Sequence, residues 1–378
     1  MMPQRQRTAL YYDLEGPISG QDHAQAVCNQ FVEDGEKLFP VLSRYVLSSY
    51  ILPPSDEEGY EPGDTLRFLI PFLVVAGVTE KDLREVSAQA GIVPGIIEFF
   101  TEVQRDGCTV RIISTSYEQH AFSVAKRIGL PKEQVYCTKF PLDQLREKVT
   151  DSDEVLIREV RERAVELCCD DLESKDTEMM EALDPFFLGY LPQTELGQAI
   201  NEVKVIGGRR KVWALEEAVQ ANGGFHLGNA FVVGDSVTDS RMAQVVESAG
   251  GIALAWNANW YLLPYATCGV AAADAQAVKP LFEAWREGGR AAVREIIEAI
   301  GVAAADAQAV KSLFEAWREG GRAAVREIIE AMPKPQNSEE GPYYQWLAGR
   351  NNEFYQEALS VHERLRAVCR GAETAKLG

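Results

Sequence analysis

Short apolar runs that end in polar residues punctuate a chain otherwise patterned for helices. Ala9–Tyr12, 109–113 and 230–233 are dense in aromatic and β-branched residues and too short for helices, and 251–256 is a further apolar run of that length. Runs of this kind predict buried strands, and 134–137 is a weaker example. Helical periodicity fills the intervals 22–39, 45–52, 66–75, 81–90, 94–105, 117–128, 151–183 and 211–220. Thr79 followed by Asp82 has the form of an N-cap with an acidic first turn. The alternation of strand and helix predicts an α/β protein built on a Rossmann-like, doubly wound parallel sheet.

The same pattern divides the chain. Residues 20–100 read as a helical cap inserted after the first strand, and 1–19 with 101–268 read as the core. A helical insertion is expected near 145–200, its chemistry unreadable from its residues. Residues 269–300 and 301–332 are near-copies that differ only at Pro280/Ser312 and Ile300/Met332. Each copy reads as two helices separated by Gly-Gly, and two copies fall short of a self-supporting solenoid. A Pro-containing polar linker at 333–341 leads to a tail, 343–369, read as helical with a buried face of Trp346, Leu347, Phe354, Leu359 and Leu365. The duplicated helices are a candidate surface for a second copy of the chain or a protein partner.

Composition narrows the function. The net charge of −19 shows no basic stripe, which argues against a nucleic-acid partner. The longest apolar stretch, 66–78, contains Arg67 and Pro71 and is too short to span a bilayer, so no membrane partner is expected. The N-terminus is polar and carries no signal-peptide pattern, and seven irregularly spaced cysteines argue for a reducing, cytoplasmic setting. His23, His120, His226 and His362 show no metal-ligand spacing.

Candidate chemistry lies where the strands end. Asp13 follows the first strand, Ser114 and Thr115 the second, and Asp235 and Asp239 the strand at 230–233. Lys211 opens a helix just after Gly207-Gly208, a poor place for a cation unless an anion is near. Asp13 offers a carboxylate nucleophile, and Glu15, two residues on in an extended segment, shares its side and suits a general acid and base. Ser114, Thr115 and Lys211 can hold phosphoryl oxygens. Asp13, Glu15, Asp235 and Asp239 offer hard oxygens for a divalent cation. Arg67, in an apolar cap helix, is a candidate for a substrate carboxylate.

These pieces, in this order, resemble the four motifs of the haloacid dehalogenase (HAD) superfamily over about residues 9–267. The resemblance implies a Rossmann-like core, Mg2+ and an aspartyl-phosphate on Asp13. It further implies Ser114 and Lys211 as phosphate holders and Asp235 and Asp239 as residues serving the metal. Asp-Leu-Glu-Gly at 13–16, Ser-x-x-Tyr-Glu at 114–118 and Gly-Asp-Ser-x-x-Asp at 234–239 are similar to the phosphoserine phosphatase and phosphoserine:homoserine phosphotransferase subgroup. The opening Asp-Leu-Glu-Gly-Pro is also similar to the HAD-like subunit R of archaeal energy-converting hydrogenases. Glu15 stands where the superfamily usually has Asp, and Pro17 where it usually has Thr. The expected function is a Mg2+-dependent phosphatase acting on a small phosphate monoester of the phosphoserine-like class. A phosphotransferase to an alcohol acceptor and a non-catalytic, partner-binding subunit stay open as alternatives.

Overall fold

The computed structural model describes residues 9–51, 61–223, 226–303 and 342–371. The N-terminal octapeptide, the acidic loop expected at 56–59, the second repeat beyond Ala303, the linker at 333–341 and the chain end lie outside the described residues.

Among the described residues seven strands form one sheet: β1 (Ala9–Tyr12), β2 (Thr109–Tyr117), β3 (Val135–Thr138), β4 (Ala230–Gly234), β5 (Ile252–Trp256), β6 (Cys268–Ala271) and β7 (Tyr343–Trp346). Their spatial order is β3-β2-β1-β4-β5-β6-β7. Every neighbouring pair is parallel except β6 and β7. The alternation along each strand divides the two faces. Leu10 and Tyr12, Phe231 and Val233, and Ile252 and Leu254 point into one apolar cluster. Ala9 and Tyr11, Ala230 and Val232, and Ala253 and Ala255 point into the opposite one. The helices Ile96–Arg105, Glu118–Arg127 and Lys279–Ala303 cover the first face. The helices Arg209–Ala221, Ser240–Ser248 and Asn352–Arg370 cover the second. The sheet is therefore doubly wound, as the alternation predicted.

A third apolar cluster stands apart from the sheet faces. It joins the helices His23–Phe31, Gly35–Ile51, Thr65–Val75 and Glu80–Ala88 to Leu142–Arg146, Asp151–Glu166, Asp176–Asp184 and Glu195–Asn201. Two segments more than fifty residues apart thus share one core. Polar contacts pin them together: Arg44 Nε donates to Asp176 Oδ1 at 2.7 Å, and the Tyr45 hydroxyl donates to Asp184 at 2.7 Å. The stretch 151–183, unreadable alone, supplies the wall opposite Phe68 and Phe72.

The C-terminal third departs from the helical reading. Residues 268–271, at the start of the first repeat, form β6 rather than helix, and Tyr343–Trp346 forms β7, with helix beginning only at Asn352. The cause is tertiary: the Cys-Gly-Val-Ala run completes the parallel sheet against β5, and β7 then closes its edge antiparallel. The helix Lys279–Ala303 bends at Gly289, whose φ of +66° breaks helical geometry where the Gly-Gly pair predicted a break. Its Leu281, Phe282, Trp285, Val293, Ile296 and Ile297 are buried against the sheet.

Excising either repeat, Gly269–Ile300 or Gly301–Met332, joins Cys268 to an almost identical 32-residue segment followed by Pro333. Both shortened proteins are expected to melt within ~2 °C of the full chain, on the order of 1 kcal/mol for a protein of this size. Differential scanning calorimetry checks this, and unfolding of either one would show that a single copy cannot fill the seat.

Candidate functional site

In an open parallel sheet, ligands bind beyond the carboxyl ends of the strands, where the winding direction reverses. Here that point lies between β1 and β4, because the chain moves outward from β1 to β3 on one side and from β4 to β6 on the other. Register fixes the two ends together: Tyr12 is paired with Val233, and the Asp13 N–H donates to Val233 O at 2.8 Å. Asp13 and Asp235 therefore emerge side by side, both nearly inaccessible to solvent.

Lys211 reaches the same point from the helix Arg209–Ala221. Its first turn is set by Gly207-Gly208, where a Cβ on Gly207 would stand 1.8 Å from Pro62 O and Gly208 has a φ of +49°. The three basic residues of that turn separate cleanly. Arg209 pairs with Glu61 and Arg210 with Asp64, just before the helix Thr65–Val75, and Lys211 turns inward. Its Nζ, fully buried, donates to Asp13 Oδ1 at 2.6 Å and to Asp239 Oδ1 at 2.7 Å. Burial alone would lower the Lys211 pKa; Asp13 and Asp239 more than reverse it, so the ammonium stays charged. Asp239 Oδ2 accepts from the backbone N–H groups of Asp235 at 3.0 Å and Ser236 at 3.3 Å, which locks the loop after β4.

Carboxylate oxygens of Asp13, Asp235 and Asp239 lie within 4.8 Å of one another. Asp235 Oδ1 is buried and has no hydrogen-bond partner. Three hard carboxylates around an unmet buried acceptor fit a divalent cation such as magnesium. Burial, with Asp239 next to it, pushes the Asp13 carboxyl up to about 7 in spite of Lys211. That is the response of a carboxyl taken out of water beside a second carboxylate.

The other expected residues fall as follows. Glu15 is not in the three-carboxylate cluster; its Oε1 accepts from the His23 N–H at 3.0 Å, and burial pushes its carboxyl up to about 8. It lines, with Asp13 and Thr115, a cavity of about 80 Å3. Behind it His23 and His120 stack with ring centroids 4.3 Å apart, and His120 Nε2 stands 3.9 Å from Glu15 Oε1. Ser114 is fully buried, and its Oγ accepts from the Ser116 N–H at 3.0 Å. The neighbouring Thr115 faces the cavity, its Oγ1 buried and without a partner. Arg67 stands 3.6 Å from Asp64 and over the Phe68 ring, and is not among the residues lining this cavity.

Two residues of the site escaped the sequence reading. The C-terminal helix Asn352–Arg370 brings Arg366 and Arg370 onto Asp235. Arg366 Nη1 donates to Asp235 Oδ2, to Asp235 O at 3.1 Å and to Asn257 O at 3.4 Å. Arg370 Nη1 donates to the same Oδ2 at 2.6 Å. The signal was present: Ala358, His362, Arg366 and Arg370 follow at four-residue steps, so the arginines continue a buried stripe. One turn back, His362 Nδ1 accepts from the Ala258 N–H at 2.8 Å and locks the helix to the loop after β5.

No protein-family model and no curated protein matches the chain. Solved structures do. "Structure of gene product AF1437 from Archaeoglobus fulgidus" aligns over 99% of both chains at 23% identity and a TM-score of 0.70, a likeness of fold. Phosphoserine phosphatase in its apo form covers 72% of this chain and 98% of its own at 11% identity, with a TM-score of 0.45. A phospho-aspartyl intermediate analogue of phosphoserine phosphatase covers the same shares at 12% identity and 0.47.

Two predictions follow from these contacts. Lys211→Met leaves Asp13 and Asp239 buried without their cation and is expected to cost about 3–5 kcal/mol in urea unfolding. His362, fully buried, has its pKa lowered to about 3 by burial, with Arg366 adding to the effect. A depressed histidine pKa contributes stability at neutral pH that is lost as pH falls below the unfolded value near 6.5, because only the unfolded chain takes up the proton. His362→Gln should therefore be the less stable protein at pH 7, by about 1–3 kcal/mol. Its deficit should shrink by up to about 1.4 kcal/mol for each pH unit below 6.5. A constant gap from pH 7 to 5 would show that His362 does not titrate as a buried neutral ring.

Proposed function

We propose that this chain is a HAD-type phosphatase that hydrolyses a small phosphate monoester through an aspartyl-phosphate on Asp13. One observation carries the reading: a buried lysine ammonium joins a strand-end aspartate to a second aspartate, with a third beside them, at the point where the sheet's winding reverses. A purely structural ion pair would not need three carboxylates around an unmet acceptor beside a cavity.

Phosphate monoesters resist water because the nucleophile must approach an anion. The Asp13 carboxylate, held by Lys211 at one oxygen, attacks phosphorus and expels the alcohol. Glu15, lining the same cavity, protonates the leaving oxygen and then takes a proton from the water that cleaves the acyl phosphate. Lys211 and the Thr115 hydroxyl bind phosphoryl oxygens and hold them through both steps. A magnesium ion held by Asp13, Asp235 and Asp239 would neutralise charge between carboxylate and phosphoryl oxygen. The cap covers this pocket through Phe39, Thr65 and Leu66, and the small cavity favours a compact alcohol such as that of a phosphoserine-like ester.

The test is hydrolysis of p-nitrophenyl phosphate and of a panel of small phosphate monoesters, with and without magnesium. The wild type should turn over only with the metal, and Asp13→Asn should lose at least about 10³-fold in kcat. Unchanged turnover in Asp13→Asn would overturn the assignment.

A further inference from the structure

We propose that Arg370, delivered by the C-terminal helix, is a ligand to the oxyanion that the site binds. The inference rests on the reading of this cavity as a phosphoryl site and adds a residue to it that no strand-end motif contains.

Arg366 and Arg370 approach the same carboxylate oxygen with different degrees of satisfaction. Arg366 Nη1 has three acceptors: Asp235 Oδ2, Asp235 O and Asn257 O. Among the described residues the Arg370 side chain donates to Asp235 Oδ2 alone, and its Nε is buried with no partner. A guanidinium has five donors, and an unmet buried donor costs about 1–3 kcal/mol. The Arg370 side chain is only 6% exposed, so bulk water does not make up the difference. Glu15 and Asp22 act on it through space, but their carboxylates are engaged by the backbone N–H groups of His23 and Gln25. Two guanidiniums converge on one carboxylate oxygen, and the Arg370 Nε–H is left without an acceptor among the described residues.

The cavity supplies the place for that acceptor. Arg370, Asp13 and Thr115 all line it, and Thr115 Oγ1 is a second buried polar atom without a partner among the described residues. A planar guanidinium matches the oxygen spacing of a tetrahedral oxyanion, with charge-assisted bonds stronger than neutral ones. The helix is held firmly enough to present it. Tyr355, Ala358, His362 and Leu365 are buried, and a Cβ on Gly20 would meet Cys369 O at 2.3 Å. Arg366 is accordingly a positioning residue for Asp235, and Arg370 the group that meets the ligand.

The experiment uses inorganic phosphate as probe on the full chain, by isothermal titration calorimetry with magnesium present, for wild type, Arg370→Gln and Arg370→Lys. The Arg370→Gln protein should bind phosphate about 10- to 100-fold more weakly, the worth of one charge-assisted hydrogen bond. Arg370→Lys, a point charge without the fork, should fall between. In parallel, the Arg370 Nε–H resonance of 15N-labelled wild type, assigned by its loss in Arg370→Lys, should shift on phosphate addition. The shift itself is read on the wild type, and the conservative Arg370→Lys is the only substituted protein the assignment needs. Phosphate binding with that resonance unmoved, or unchanged affinity in Arg370→Gln, overturns the role of Arg370 and leaves the phosphatase reading standing. A wild type that binds no phosphate overturns the phosphoryl site itself.

Discussion

A single buried ammonium holds the centre of this molecule together. Lys211 lies between Asp13 at the end of β1 and Asp239 in the loop after β4, with no exposure to solvent. Taking three charged groups out of water is costly, and their mutual attraction compensates only when the geometry is tight. The surrounding fold supplies that geometry. The β1–β4 register sets the two strand ends level, the Gly207-Gly208 turn lets the helix start against Pro62, and the Asp235 and Ser236 N–H groups fix Asp239. A carboxylate cluster of this density would not persist beside a neutral residue at position 211.

The helical layer expected as a cap meets the sheet at the same place. Glu61 accepts from the Arg209 N–H and pairs with its guanidinium, and Asp64 takes Arg210, so the helix that carries Lys211 is tied to the cap on its outer side. Tyr117, at the end of β2, donates its hydroxyl to Leu66 O and stacks on Phe140 at 3.9 Å between centroids. The elements that present Thr115 and Lys211 thus also carry the roof of the cavity, and a shift of the cap is felt at the strand ends.

Much of this was legible because its signals are local. A β-branched run ending in Asp or Ser declares a strand and its candidate chemistry, and the structure brings Asp13, Asp235 and Asp239 together with Lys211 from a helix start, while Ser114 is buried against the Ser116 N–H. What escaped depends on long-range pairing. The run at 268–271 leads into a repeat that reads as helical and Tyr343–Trp346 opens a tail with helical periodicity, and each becomes a strand only because a sheet edge is available. The apolar faces of the 23–75 and 142–200 helices look like two units until a shared core joins them. Arg366 and Arg370 sit in the charge-rich Glu-Arg-Leu-Arg-Ala-Val-Cys-Arg end of the last helix, where charges ordinarily face water. Their place on the stripe of Ala358 and His362 was the only hint, and its target, Asp235, lies more than a hundred residues away.

The charge balance shows why the last helix belongs to the site. The chain as a whole carries −19, so its distant field repels an anionic ester and gives no electrostatic steering. Capture must come from cations close to the ligand. At the centre Asp13, Asp235 and Asp239 contribute three negative charges, and Lys211, Arg366 and Arg370 contribute three positive ones. Without the two arginines, Lys211 alone would face three carboxylates, and a second anion could enter only against that excess. With them, each of the three central carboxylates has a cationic partner, while Glu15 and Asp22 add further acidic groups to the cavity wall. The C-terminal helix is therefore part of the charge balance at the β1 and β4 ends, on which the proposed chemistry depends.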